Sequence, residues 1–433
     1  MRAARDGRSA TTVYLTIEAV TGFGFYTMAT LASVYRIDSA GLDPLQLVLV
    51  GTALEATTFV FEIPTGVLAD TISRRRSVIL GTFLIGLGFM IEASFPSFLP
   101  IVAGQVVWGL GYTFVSGANV AWVTDEVGEA PASALYLRGA QMANFAALGG
   151  IAASVALGSV ALWLPVFAGG VVYVCLGLFL LVAMPETAFV RAESARWDRS
   201  PRRAAKDKRV TASMKAGVRS VRATIRLRPV LVTILVVSAL HGASTETFDR
   251  LWELHLLRGI GLPDLGPLDP IVWFGIVNAV GLLLGITAIE VVKRRVDVAR
   301  GPGVIRSLAA VNAALIVSTA AFGLTGRFAV AVAIFWVVDL LRYTHLPLFQ
   351  AWVNRGLESS TRATINSSVS QMDGLGQIFG GPVLGAVGAV RSVAAAIALA
   401  AFLRTPVLFL LGRKSVLEEP DRGPGRAEGA ASR

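Results

Sequence analysis

The sequence predicts an all-α membrane protein of twelve transmembrane helices with both termini on the cytosolic side. Three observations lead there. The chain of 433 residues is 54% apolar and only 16% charged, whereas soluble domains average about 45–50% apolar and about 25% charged. Its apolar residues fall into twelve runs of about 20, the length that crosses a hydrocarbon core about 30 Å thick. Its basic residues cluster on one side of those runs. This composition excludes a soluble enzyme, and it excludes a disordered chain, which low hydrophobicity would keep open. The single cysteine, Cys175, rules out an internal disulfide and a Cys-based metal cluster. Within its apolar run it is expected to fill core space.

In chain order the runs cover residues 12–35, 44–69, 77–93, 99–123, 138–160, 163–184, 229–257, 269–291, 304–323, 328–350, 363–388 and 392–411. No amino-terminal run has the form of a cleaved signal peptide, because residues 1–10 are basic and the first run contains Glu18. With both ends inside, 32 of the 39 Lys and Arg residues lie on the inner side. Arg36, Arg258, Arg327 and Arg391 lie on the outer side, and Arg250, Arg342 and Arg404 fall within the runs. That asymmetry obeys the positive-inside rule. It also accounts for the net charge of +10, so no nucleic-acid partner is expected.

The longest polar stretch, Glu186 to Arg228, divides the chain into two six-helix halves, residues 1–185 and 229–411, joined by a basic linker at 186–228. In that linker Val210, Met214, Val218, Val221 and Ile225 recur at helical spacing between Lys215, Arg219, Arg222 and Arg226. The pattern suits an amphipathic helix lying on the inner leaflet. Residues 412–433, rich in Gly, Pro, Arg and Glu, are expected to be disordered. The halves also look related: Ala121-Trp122-Val123-Thr124-Asp125 closes the fourth run, and Ala351-Trp352-Val353-Asn354-Arg355 closes the tenth. Duplication within a transporter produces such pairs.

The most specific motif joins the second and third runs: Gly66-Val67-Leu68-Ala69-Asp70-Thr71-Ile72-Ser73-Arg74-Arg75-Arg76. Gly66 is expected to admit a neighbouring helix. Asp70 places a carboxylate at the cytosolic edge, where it can pair in one conformation and separate in another. The three arginines suit the anionic inner surface. The stretch resembles the loop signature of the major facilitator superfamily, Gly-x-Leu-Ala-Asp-Arg-x-Gly-Arg-Arg, with Thr71 and Ser73 departing from it. The resemblance extends over twelve helices and the central linker, and it implies the major facilitator fold in two pseudo-symmetric halves. Glu62 to Gly66, Glu246 to Trp252 and Gly376 to Gly385 resemble the branch containing macrolide, tetracycline-type and siderophore exporters. That likeness implies proton-driven efflux of a small organic molecule across the cytoplasmic membrane. Two departures weigh against a simple proton antiporter. Gln105 stands where such antiporters carry a helix 4 arginine, and Leu148-Gly149-Gly150 lacks the helix 5 proline, although Gly380-Gly381-Pro382 supplies a similar pattern in helix 11.

Ionisable residues inside the runs are functional candidates, because a charge at mid-bilayer costs about 2.5–3.5 kcal/mol on insertion scales. Glu55 and Glu62 share one face of the second run with Thr58, Phe59 and Gly66. Glu246, Asp249, Arg250 and Glu253 share one face of the seventh. Asp339 with Arg342, and Asp249 with Arg250, have the spacing of structural pairs. Glu18, Glu55 and Asp373 have no partner in their own helices, so each is either an interhelical pair or a substrate or proton site. Burial favours the protonated carboxyl group, as proton coupling requires.

Phe25, Tyr26, Trp108 and Trp336 lie deep enough to line an apolar pocket, with Gln105 beside them. Trp122, Trp252, Trp273 and Trp352, near helix ends, have the placement of an interfacial aromatic belt. His241, His255 and His345 are too scattered in sequence for a metal site. The chain contains no phosphate-binding Gly-x-x-x-x-Gly-Lys-[Ser/Thr] loop, no His-Glu-x-x-His motif and no Gly-x-Ser-x-Gly elbow. No cofactor or metal is expected, nor is an enzyme. The partners expected are a small-molecule substrate, a proton as coupling ion and the lipid bilayer, with the chain acting as a monomer. An uptake permease or facilitator of the same fold is the alternative.

The charge asymmetry has a direct test. Fluorescent-protein fusions after Ser200 and after the carboxy terminus should fluoresce, while an alkaline-phosphatase fusion after Asp264 should be active. The reverse pattern would invert the topology.

Overall fold

A computed structural model describes residues 2–189, 229–295, 301–355 and 359–413. Among them the secondary structure is helical, with a single isolated bridge between Leu265 and Leu268 in place of any strand. The elements are α1 (Arg2–Val34), α2 (Pro44–Thr71), α3 (Arg74–Ser94), α4 (Phe98–Val127), α5 (Glu129–Gly158) and α6 (Trp163–Ala183), followed by α7 (Pro229–Leu254), α8 (Val272–Arg295), α9 (Gly301–Leu324), α10 (Phe328–Val353) and α11 (Ser359–Val390). The last span is α12 (Val393–Leu403) and α13 (Thr405–Leu411), broken only at Arg404. Each of the twelve sequence runs therefore becomes one helix or one broken helix. The proposed linker helix at 210–226 and the tail beyond Arg413 lie outside the described residues.

Nine helical spans among the described residues are long and apolar enough to cross a membrane. Two others fall short through polar content: α1 carries Glu18 among several threonines, and α11 carries Asn366, Gln371, Asp373 and Gln377. The apolar stretch of α8, as far as it is described, is Val272–Ala288. Two helices, α1 and α5, extend well beyond their apolar runs. The fifth begins at Glu129, nine residues before its run, because the run marks apolarity while Ala, Leu and Glu continue the helix into the polar side. Outward-facing residues such as Phe145, Val182, Val317, Phe379 and Phe402 are exposed, as a lipid-facing surface requires. Cys175 is also exposed, contrary to the core role expected of it. Its side of α6 faces outward with Val171, Leu178 and Phe179.

Local chemistry sets several ends. Asp43 caps α2 in a reciprocal capping box with Gln46, and Pro44 occupies the first turn. Ser73 caps α3 by accepting from the Arg76 N–H. Gly128 takes φ +87° between α4 and α5, a conformation that side chains disfavour. Both α1 and α7 finish in a π-helical turn, Tyr35–Ser39 and His255–Ile260.

Two compact units divide the chain. The first comprises Met1–Arg196, Asp249–Leu282 and Gly385–Val393, the second Trp197–Phe248, Leu283–Leu384 and Ala394–Arg433. In the first unit α3 packs on α4 and α6, α1 on α5 and α6, and α2 on α4. Paired glycines bring these backbones together. A Cβ on Gly81 would stand 2.5 Å from the Gly111 carbonyl oxygen and one on Gly111 2.7 Å from that of Gly81. Gly88 with Gly104, and Gly86 with Gly170, repeat the reciprocal contact at 2.6 and 2.7 Å. Gly150 of α5 sits against the Phe23 carbonyl of α1. The second unit uses the same device where Gly242 of α7 meets the Asp373 carbonyl and Gly376 of α11 meets the Ala239 carbonyl. Its core gathers Leu231, Ile234, Leu308, Phe349, Trp352, Val369 and Leu411. Without a hydrophobic force between helices in lipid, such close approach and dispersion hold the bundle.

Gly150→Leu should lower the unfolding midpoint of the detergent-solubilised protein by the equivalent of roughly 1–3 kcal/mol. Gly374→Ala, which meets nothing within 4 Å, should leave it unchanged or slightly raised. Equal loss in both would reject backbone contact as the cause.

Candidate functional site

The loop between α2 and α3 is built around Arg74. Its guanidinium bonds the Asp125 carboxylate and the Ala121 carbonyl at the end of α4. Asp70 lies at 3.5 Å from the same guanidinium, with more than half of its side chain exposed. Asp125, which the sequence placed only in the repeat, is therefore the tighter partner. Ser73, a departure from the superfamily pattern, does two jobs. It caps α3, and its hydroxyl donates to Glu186 Oε2 at 2.7 Å. The Arg75 N–H donates to the other oxygen of Glu186 at 3.0 Å, and its guanidinium donates to the Leu181 carbonyl. Glu126 accepts from Thr187 and Ala188, and Phe189 lies under Arg74. The segment after α6 is thus bolted to α3 and α4. Arg76 extends the basic face. Gly66 does not admit a helix: a Cβ there would meet nothing within 4 Å. The close approach falls one residue earlier, where buried Thr65 donates to the Thr113 carbonyl of α4 at 3.0 Å.

The carboxylates within the helices divide by environment. Glu18 accepts from Asn119 Nδ2 of α4 at 3.1 Å, so it has an interhelical partner. Glu55 and Glu62 both act on Tyr112 of α4, which places them on the same side of α2, and Glu62 is exposed. Glu246 is 3% exposed, while Asp249 and Arg250 are half-buried. Asp339 and Arg342 both act on Tyr343 of α10.

Asp373 of α11 has the richest surroundings. Its Oδ1 lies 3.1 Å from His241 Nδ1 of α7, and Gln377 Nε2, one turn on, donates to Oδ2 at 2.8 Å. His241 stacks on His345 of α10, ring centroids 4.7 Å apart and 17° from parallel, and His345 stacks in turn on Phe349. The Nε2 atom of His345 is buried without a hydrogen-bond partner. Gly242 and Gly376 draw α7 against α11 and so bring His241 beside Asp373, while His345 reaches the same place from α10. Arg342 and Arg404 add positive field to the cluster. Asp373, His241 and Gln377 form a hydrogen-bonded group, and His345 is stacked on the His241 ring beside it.

Among the aromatics, Phe25, Tyr26 and Trp108 come together: Phe25 meets Tyr26 edge-on at 5.5 Å and lies 6.2 Å from Trp108. Trp336 is half-buried on α10. Gln105 is wholly buried, with Nε2 donating to Glu92 of α3 at 2.6 Å, a contact no sequence spacing revealed. The belt expectation is corrected for three tryptophans. Trp122, Trp252 and Trp352 are 1%, 7% and 3% exposed, packed among helices instead of facing lipid. Trp122 is fixed there by donating to the Pro185 carbonyl at 2.6 Å. Trp273 donates to the Pro263 carbonyl.

Asp125→Asn should lower the melting temperature more than Asp70→Asn, the pair being worth on the order of 1 kcal/mol at this partial exposure. A larger loss from Asp70→Asn would overturn the ranking of the two partners.

Residues 15–381 match the Major Facilitator Superfamily. The chain is 22% identical over 403 residues to the uncharacterized MFS-type transporter YxaM of Bacillus subtilis (strain 168), covering 92% of this chain and 94% of that one. A shorter match, 28% identical over 102 residues, is to an uncharacterized transporter of Buchnera aphidicola, covering 24% of this chain and 26% of that one. Among solved structures, the nucleoside transporter NupG superposes with a TM-score of 0.71 at 13% identity over 93% of this chain and 98% of that one. The peptide transporter POT in complex with sulfate gives 0.70 at 16% identity over 95% and 97%. At these identities the structural likeness is one of fold. The helical bundle, the loop centred on Arg74 and the family match over most of the length together make this chain a membrane transporter of the Major Facilitator Superfamily.

Proposed function

We propose that the chain is a proton-coupled secondary transporter that exports a small hydrophobic or cationic organic molecule across the cytoplasmic membrane by alternating access. The observation that carries this reading is the Asp373–His241 pair with His345 stacked on it, three titratable groups from three helices inside an apolar bundle. A cation or a proton neutralises such a carboxylate, and the two states differ in what α7 and α11 hold between them. Phe25, Tyr26 and Trp108 supply the stacking surface that hydrophobic cations favour. Glu18, Glu55, Glu246, Asp249 and Asp339 are the remaining candidate charges. The working cycle rocks residues 1–185 against residues 229–411, with both termini cytosolic and the chain acting as a monomer, and the Arg74 contacts make and break during it. Gln105, committed to Glu92, favours a second reading, uptake by the same fold, since it leaves helix 4 without the arginine of proton antiporters.

Everted vesicles with an imposed pH gradient test the proposal, with a panel of lipophilic cations beginning with ethidium as probes. Export predicts accumulation that collapses with the gradient. Asp373→Asn and His241→Gln should each abolish proton-driven accumulation while leaving substrate exchange, and Asp70→Asn should slow transport without loss of folded protein. Full accumulation by Asp373→Asn would remove that residue from coupling. Flux in the opposite direction would establish uptake.

A further inference from the structure

A second dense group of buried charge lies in the first unit, at the end of the bundle where α1 and α7 finish and α4 begins. The π-helical turns there are rare features that concentrate at functional sites. The first turns Arg36 inward. Its Nε–H donates to Glu92 Oε1 at 2.7 Å, with side-chain exposures of 5% and 0%. The other oxygen of Glu92 accepts from Gln105, and the Tyr35 hydroxyl donates to the Glu92 carbonyl at 3.1 Å. Glu92 is thereby neutralised and fully bonded.

Glu253, in the last turn of α7, is the odd member. It is 6% exposed, takes a hydrogen bond from Ser33 and lies in the field of the same Arg36. Its Oε2 atom is buried without a hydrogen-bond partner. Asp249, one turn earlier and of the same sign, also acts on it. Half-buried Arg250 stands beside Asp249 on α7, and His255, two residues beyond Glu253, is buried. Arg258 is committed elsewhere: it donates to Asp38 at 2.6 Å and ties the two π-helical turns together. The Arg36 guanidinium is bonded to Glu92 and only its field reaches Glu253, and a second buried negative charge without its own bonded cation is one that a dry interior does not tolerate.

We propose that Glu253 is a proton-binding site of the transport cycle, protonated while the end of α7 is docked on the end of α1 and ionised when the two part. On parting, the carboxyl O–H bond breaks and the proton passes to entering water, leaving a solvated carboxylate. No other reactant is needed. Docking and proton occupancy are then linked, so acid favours the docked arrangement and alkali the separated one. Glu92 sets the threshold, because it holds the arginine that Glu253 would otherwise use. This site stands apart from Asp373 and does not depend on the direction of transport.

The test is a distance measurement on the full chain in lipid nanodiscs. Spin labels go on Ser39→Cys and Pro263→Cys in a Cys175→Ser background, and the docked fraction is followed from about pH 5 to about pH 9, a range that spans a carboxyl group in either environment. The parent protein should lose most of its docked fraction as pH rises. Glu253→Gln should hold that fraction at its acid level throughout, and Glu253→Asp, which keeps the carboxyl, should retain a transition. Glu92→Gln frees Arg36 to pair with ionised Glu253 in the docked state and should therefore shrink the alkaline loss of docked fraction, moving its midpoint up by about one pH unit or more. Asp373→Asn should leave the transition in place, so failure of coupling at Asp373 and failure at Glu253 read out separately. An unchanged transition in Glu253→Gln, a pH-independent parent or an unmoved midpoint in Glu92→Gln would each overturn the proposal.

Discussion

Inside a bundle that lipid surrounds, water is not available to solvate a charge, so every ionisable group must find its counterpart among the helices. That requirement organises this molecule. Glu92 takes an arginine from the turn after α1 and an amide from α4. Glu18 takes an amide from α4, and Asp373 takes an imidazole from α7 and an amide from its own helix. Each partner lies on another helix or another turn, and each interhelical bond fixes where two helices meet. The charges therefore specify register, while apolar packing supplies cohesion without choosing among rotations of a smooth helix.

Register has a second source in the glycines. The reciprocal contacts of Gly81 with Gly111, Gly88 with Gly104 and Gly86 with Gly170 let α3 lie against α4 and α6 at backbone distance. Such contact is steep in energy, since a single added methyl group must displace a carbonyl. The three helices accordingly behave as one plate, on which the Arg74 loop and the Arg36 cluster are mounted at opposite ends. The α7 and α11 contact at Gly242 and Gly376 plays the corresponding part for His241 and Asp373.

The spans were legible because run length and hydropathy are local properties; α2, α6 and α10 begin within a residue of where apolarity alone places them. The loop motif was legible for the same reason, its partners Asp70 and Arg74 being one helical turn apart. What a chain order cannot display is which faces of distant helices meet. His241 and His345 become neighbours only through packing of three helices, and Arg36 reads as an outer loop cation until the π-helical turn points it inward. Trp122 and Trp352 read as interface residues from their position near helix ends, yet depth along the membrane says nothing about rotation toward or away from lipid. Gly66 failed for a related reason: small size permits close approach, and only the neighbour's position decides whether approach occurs.

The fastening of residues 185–189 changes how the central connection should be viewed. Trp122, Ser73, Arg75 and Glu126 hold that stretch by hydrogen bonds, so the chain leaves α6 already fastened to the ends of α3 and α4. Any force that reaches residue 189 is therefore shared among three helix ends and is not borne by α6 alone.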